Sequence, residues 1–292
     1  MNPAEPLEAG FLIHGGAERR WLLHRPAALP PGRRPLVLMF HGAGATADLA
    51  ARQTGWSRLA DREGFLVAFP EGTARDPSTP PTFRLNPQAW NDGSGRGHTA
   101  RQQTDDTGFV VALLDRLAQQ HPIDPARTYA SGFSNGASFT FRLGAELPAR
   151  VAAIAPFAGH CWATPGRLDP PVPLLYVVGG ADPLNPVAGG EVTTPWASRE
   201  FHPPPRESFD RWAAALGFDP ARPERVFEEG LGRWRHGPRA DGAEAELLVV
   251  EGLGHVWPGG ARFLPAKLVG RTSNRLPGTE AAWAFLARHG RS

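Results

Sequence analysis

The feature that most constrains this chain is an alternation. Short apolar runs rich in Val, Leu, Ile and Phe recur between stretches with helical periodicity. The runs occupy residues 35–40, 65–69, 127–130, 151–155, 173–178 and 245–250. Each is too short for a helix and lacks polar alternation, so each reads as a strand buried on both faces. Residues 107–119 carry Val110, Val111, Leu113, Leu114 and Leu117 on one stripe, with Asp105 and Asp106 where the helix dipole favours acids. Similar patterns at 49–63, 135–147, 206–216 and 279–289 predict further helices. Strand alternating with helix dictates an α/β fold: a mostly parallel sheet, right-handed crossovers and helices on both faces. Two segments near the start, 10–13 and 20–24, predict an antiparallel lead-in hairpin within about residues 8–24. No linker divides the chain, so residues 1–292 read as a single domain. The irregular stretches 70–101 and 182–205 are long enough to be functional loops.

Charge and composition exclude several classes. The 31 basic and 29 acidic residues nearly balance, and no basic run exceeds two residues, so the footprint of a nucleic-acid binder is missing. Hydrophobic residues at 41% and charged residues at 21% argue against disorder. Cys161 is the only cysteine, which rules out an internal disulfide, and no CxxC or HExxH pattern suggests a metal. No metal and no cofactor are expected. Nor is a membrane partner, because no run of 18 apolar residues exists. Met1, Asn2, Pro3, Glu5 and Glu8 do not begin a signal peptide, which reads as a cytoplasmic protein, or a secreted or periplasmic one if a leader has been removed.

The chemistry concentrates in Gly132-Phe133-Ser134-Asn135-Gly136, the one G-x-S-x-G pattern present. It follows a predicted strand and opens a predicted helix, the setting of a nucleophile elbow. A serine needs a base to take its proton and a carboxylate to orient that base. In the α/β-hydrolase order the acid and then the histidine follow the serine. Of five aspartates between Asp169 and Asp241, only Asp182 directly follows a buried strand. Of ten histidines, His255 follows the serine and the acid in a glycine-flanked loop just past residues 245–250. The backbone N–H of Asn135 is the natural first oxyanion donor, and the Ala43 N–H in His41-Gly42-Ala43-Gly44 the second. His41 is expected to fix that loop. Trp257, two residues beyond His255, is a candidate pocket wall, with Trp162 a candidate for the opposite wall.

These blocks resemble the polyhydroxybutyrate-depolymerase-like esterases, relatives of feruloyl and acetylxylan esterases. The similarity rests on His41-Gly42, Trp90-Asn91-Asp92, Asp105-Asp106-Thr107-Gly108-Phe109, the elbow through Ala137, Asp182-Pro183-Leu184-Asn185-Pro186 and Gly254-His255-Val256-Trp257-Pro258-Gly259. It runs from about Arg20 to His289. The resemblance implies an α/β-hydrolase fold, no cofactor, and Ser134, Asp182 and His255 as the triad of a serine carboxylic-ester hydrolase. It places Trp90 in a structural or pocket-rimming position. Ala43 stands where depolymerases of this type often carry a cysteine, and the disulfides of secreted relatives are absent. The expected partner is an ester, small, oligomeric or polymeric. The same triad also serves acyl transfer and peptide hydrolysis, and a non-catalytic binding protein on this scaffold is the remaining alternative.

Overall fold

The computed structural model describes residues 7–291; the first six residues, where the leader expectation falls, lie outside that range. The hairpin forms from β1 (Glu8–His14) and β2 (Ala17–His24). The chain continues through β3 (Arg34–Phe40), α1 (Ala47–Thr54), α2 (Trp56–Glu63) and β4 (Leu66–Pro70). The first long loop holds the short ladder β5 (Thr73–Ala74) with β6 (Gln88–Ala89), then α3 (Gly97–Arg101). After it come α4 (Asp106–Gln120), β7 (Ile123–Phe133), α5 (Asn135–Glu146), β8 (Ala153–Phe157) and β9 (Leu174–Gly179). The second long loop carries the hairpin of β10 (Gly190–Thr193) and β11 (Arg199–His202). The chain ends in α6 (Pro205–Ala215), β12 (Glu224–Glu228), β13 (Leu231–His236), β14 (Ala245–Val250), α7 (Ala266–Val269) and α8 (Gly278–Leu286).

One ten-stranded sheet runs β1-β2-β4-β3-β7-β8-β9-β14-β13-β12. Its six central strands are parallel and overlap the six runs, although β7 extends well beyond residues 127–130; the flanking pairs are antiparallel. The period of two sends alternate residues of each central strand to opposite cores, which is why these strands are mostly apolar. In β3, Leu36, Leu38 and Phe40 enter the core under α4, α5 and α6, with Phe109, Phe139 and Trp212. Val37 and Met39 enter the opposite core under α1, α2 and α8, with Trp56, Leu59 and Phe285. The mixed α/β sheet with helices on both faces is thus built from alternating residues of the same strands.

The structure departs from the sequence reading in several places, including the short elements β5, β6, α3, β10 and β11 inside stretches read as irregular. The helix expected over 49–63 is two helices, because Gly55 adopts φ +73 and stops α1 before α2 begins. The pair β12 and β13 has no apolar run to announce it: Glu224, Arg225, Glu228 and Arg233 face solvent on a sheet edge. Among the described residues, no helix is long and apolar enough to cross a membrane.

Chain order sets where a ligand can bind. From β3 the chain goes to β4 on one side, then crosses to β7 on the other. Such a reversal opens a crevice at the carboxyl ends of the strands. The loops after β3 and β7 carry Ala43 and Ser134 into it.

Candidate active site

Ser134 sits between β7 and α5 with φ +55 and ψ −120, a conformation unfavourable for any residue with a side chain. Packing enforces it. A Cβ on Gly132 would lie 2.3 Å from the Gly136 carbonyl oxygen, and one on Gly136 would lie 2.3 Å from that of Phe40. The two glycines therefore let strand and helix close on each other across the turn. The Ser134 N–H donates to the Phe157 carbonyl (2.9 Å), and its own carbonyl accepts from Ala137 and Ser138 (both 3.0 Å). The backbone is tied on both sides while the hydroxyl projects into the crevice.

Three side chains from separate loops converge there. Ser134 Oγ is 2.9 Å from His255 Nε2, and His255 Nδ1 is 2.8 Å from Asp182 Oδ2. Asp182 is 3% exposed, and its other oxygen accepts the Leu184 and Asn185 N–H groups (both 2.8 Å). That fixes the carboxylate plane. The His255 loop is held by its own N–H, which donates to the Val269 carbonyl (2.6 Å). The competing aspartates are engaged elsewhere: Asp210 pairs with Arg206 on α6, Asp219 with Arg222 and Asp241 with Arg239 in exposed turns.

The Trp90-Asn91-Asp92 segment supports this arrangement from below. Trp90 is 1% exposed, stacks on Phe139 (5.1 Å, 7°), and donates its indole N–H to the His41 carbonyl (3.0 Å). The Asn135 side chain clamps the segment: Oδ1 accepts the Trp90 N–H (2.8 Å), and Nδ2 donates to Asp92 Oδ2 (2.9 Å). His41 Nε2 accepts the Gly72 N–H (2.9 Å), so its proton resides on Nδ1, which donates to the Gly42 carbonyl (2.8 Å). His41 thus shapes the loop carrying Ala43. Asp106 anchors the far end, accepting from Arg19 (2.7 Å) and from the Asn91 N–H (2.7 Å); burial raises its carboxyl pKa, which Arg19 opposes. Among the described residues, the N–H groups of Ala43 and Asn135 have no protein acceptor, whereas the Gly44 and Ala45 amides do.

Sequence reasoning missed one cluster. Asn185 donates to the Ala158 carbonyl, so its Oδ1 is the acceptor for both His160 Nε2 (2.7 Å) and His202 Nδ1 (3.0 Å). Through its backbone it also binds Asp182. Burial drops the His160 pKa to about 3, so the ring is neutral. No sequence signal joins these three residues, because they come from loops after β8 and β9 and from β11.

Two cavities meet at Ser134 and His255. One, about 120 Å³, is walled by Met39, Leu49, Ala50, Phe133, Val256 and Trp257. The other, about 280 Å³, is lined by polar groups from α3, the 90s loop and β11, with Trp162 in its wall. Trp257 is 4% exposed, lies on Phe157 (4.0 Å) and donates to Thr279 Oγ1 (3.0 Å). It both lines the apolar cavity and anchors the His255 loop. Trp257→Ala is therefore expected to cost about 3–5 kcal/mol of unfolding free energy. Denaturant titration checks this; a loss below about 1 kcal/mol would remove the anchoring role. Among the described residues, no cluster of three or more His, Cys, Asp or Glu could hold a metal ion. Cys161 is buried, which pushes its thiol up to about 12.

The chain is similar to known proteins along most of its length. The family model described as Esterase PHB depolymerase matches residues 21–166. NocK of Nocardia uniformis subsp. tsuyamanensis, a protein named as an esterase, is 30% identical over 297 residues, covering 94% of this chain and 81% of its own length. The bifunctional acetylxylan esterase/xylanase XynS20E of Neocallimastix patriciarum is 31% identical over 167 residues, 57% of this chain and 22% of that protein. Poly(3-hydroxyalkanoate) depolymerase C of Paucimonas lemoignei is 31% identical over 136 residues, 47% of this chain and 30% of its length. Among solved structures, acetyl xylan esterase from Aspergillus awamori shares the fold at a TM-score of 0.59 and 12% identity, covering 85% of this chain and 94% of that one.

Proposed function

From the premise that this chain belongs to the Esterase PHB depolymerase family, a family of carboxylic ester hydrolases, we propose that it cleaves esters through an acyl-enzyme on Ser134. His255 is the general base and Asp182 its orienting carboxylate. The observation that carries this reading is the hydrogen-bonded chain from Ser134 Oγ through the imidazole to Asp182.

The chemistry follows from that chain. Asp182 accepts a hydrogen bond from the His255 Nδ1–H, which keeps that proton on Nδ1 and leaves the lone pair of the ring on Nε2, facing the serine. Ser134 Oγ attacks the ester carbonyl carbon as its proton passes to Nε2, and the carbonyl electrons move onto oxygen. The amides of Ala43 and Asn135 supply fixed donors for that charge; Asn135 also begins α5, whose N-terminus adds a favourable dipole. Collapse of the intermediate breaks the bond to the alcohol oxygen, which takes the proton from His255. Water then repeats the sequence: His255 removes its proton, the hydroxide attacks the acyl carbonyl, and Ser134 leaves with the proton.

Rapid mixing with an activated acetyl ester tests the proposal. The expected result is a burst of released alcohol, stoichiometric with enzyme, ahead of a slower steady state. Added alcohol acceptors should divert less acyl group than water takes; dominant transfer to the acceptor would reassign the chain as an acyltransferase.

A further inference from the structure

We propose that the polar cavity receives the alcohol half of an ester whose alcohol carries a carboxylate, and that Arg75 and Arg101 recognise that anion. This rests on the reading of Ser134 as the acylated residue.

The two cavities divide the crevice by chemistry. Ser134, Ala43 and His255 border both, so an ester carbonyl at Ser134 sends one half into each. The smaller cavity is apolar, with Arg262 its one charged wall residue, and suits a short acyl chain. The larger contains Arg75, Arg96, Arg101, Asp92 and Glu200. Both acids there are engaged. Asp92 accepts from Asn135 Nδ2 (2.9 Å) and from the Ser94 N–H (3.0 Å). Glu200 pairs with Arg96 (2.7 Å), whose guanidinium lies 3.9 Å from the Trp162 ring centroid. Among the described residues, the guanidinium groups of Arg75 and Arg101 have no ion pair and no hydrogen-bond acceptor.

Those two arginines are not on free segments. His98 Nε2 donates to the Thr73 carbonyl (2.8 Å), and Gln102 Nε2 donates to the Arg75 carbonyl (3.2 Å), which joins α3 to the β5 loop. Arg75, His98 and Arg101 line the same cavity, and burial and then the two arginine charges lower the His98 pKa. Two cations without acidic partners at the exposed rim of a polar cavity match an anionic guest. The alcohol half fits this role because it must leave for water after the first step, whereas the acyl half stays enclosed until the second.

Two pairs of esters test the proposal. 3-Acetoxypropanoate and 3-acetoxypropanamide place an anion or a neutral amide in the alcohol half. Monomethyl succinate and methyl succinamate do the same in the acyl half. The expected result is a kcat/KM preference of about tenfold for the anion in the first pair, shrinking with added salt, and none in the second. In the double variant Arg75→Gln/Arg101→Gln, with an unchanged melting temperature, the preference should fall towards one. A wild-type ratio near one, a preference confined to the succinate pair, or a ratio that survives the double substitution would each overturn the proposal. Ser134→Ala separates this from the underlying reading. If it abolishes turnover of all four esters, hydrolysis at Ser134 stands whatever the ratios show.

Discussion

Replacing Ser134 by alanine should lower kcat by about a millionfold while leaving the fold intact. Among the described residues the hydroxyl makes one hydrogen bond, 2.9 Å to His255 Nε2, and the turn is held by backbone hydrogen bonds to Phe157, Ala137 and Ser138. Alanine keeps the Cβ that the turn already accommodates at φ +55, so stability should change little. Residual turnover would come from the amides of Ala43 and Asn135 acting on bound ester. Steady-state assay of the purified variant checks this. More than a tenth of wild-type activity would show that another group is the nucleophile.

The next largest effect is expected from Asp182→Asn, about ten-thousandfold in kcat. Hydrogen-bond geometry supplies the reason. One oxygen of Asp182 accepts two backbone N–H groups, from Leu184 and Asn185, so an asparagine must turn its carbonyl oxygen towards them. Its NH2 then faces His255 Nδ1, which must become an acceptor, and the ring proton moves to Nε2. In that tautomer His255 cannot take the serine proton. Asp210→Asn and Asp241→Asn remove surface pairs with Arg206 and Arg239 and should leave kcat within about twofold. A reversed ranking of these variants in kcat would show that the orienting acid is not Asp182.

The parts that were legible in the sequence share a physical origin. A strand buried on both faces is apolar at most positions, so β3, β4, β8, β9 and β14 are legible as short apolar runs, whereas β7, with Asp124, Arg127, Thr128 and Ser131, is legible only in part. The elbow is legible because only glycine fits at 132 and 136, where an added Cβ would lie 2.3 Å from a backbone carbonyl oxygen. Ser134, Asp182 and His255 were each found at the carboxyl end of a buried strand, and the sheet brings all three together.

What was hidden depends on contacts between distant loops. β12 and β13 pair through backbone groups on an exposed edge, so their side chains carry charge rather than a pattern. The break in residues 49–63 turned on one glycine adopting φ +73, which an amphipathic stripe does not reveal. The sequence leaves Trp90 either structural or pocket-rimming; it borders the larger cavity while Phe139 and the His41 carbonyl hold it in place. The Asn185 cluster and the pair Arg75 and Arg101 draw on segments far apart in the chain. No local spacing encodes them.

The most direct measurement is the position of the acyl group during turnover. The enzyme is mixed with an activated ester, quenched with acid within the burst, digested, and analysed by mass spectrometry. The account predicts one acyl group on the peptide containing Ser134, and none after the same treatment of Ser134→Ala. An acyl group on any other residue, or turnover without any acylated peptide, would contradict it.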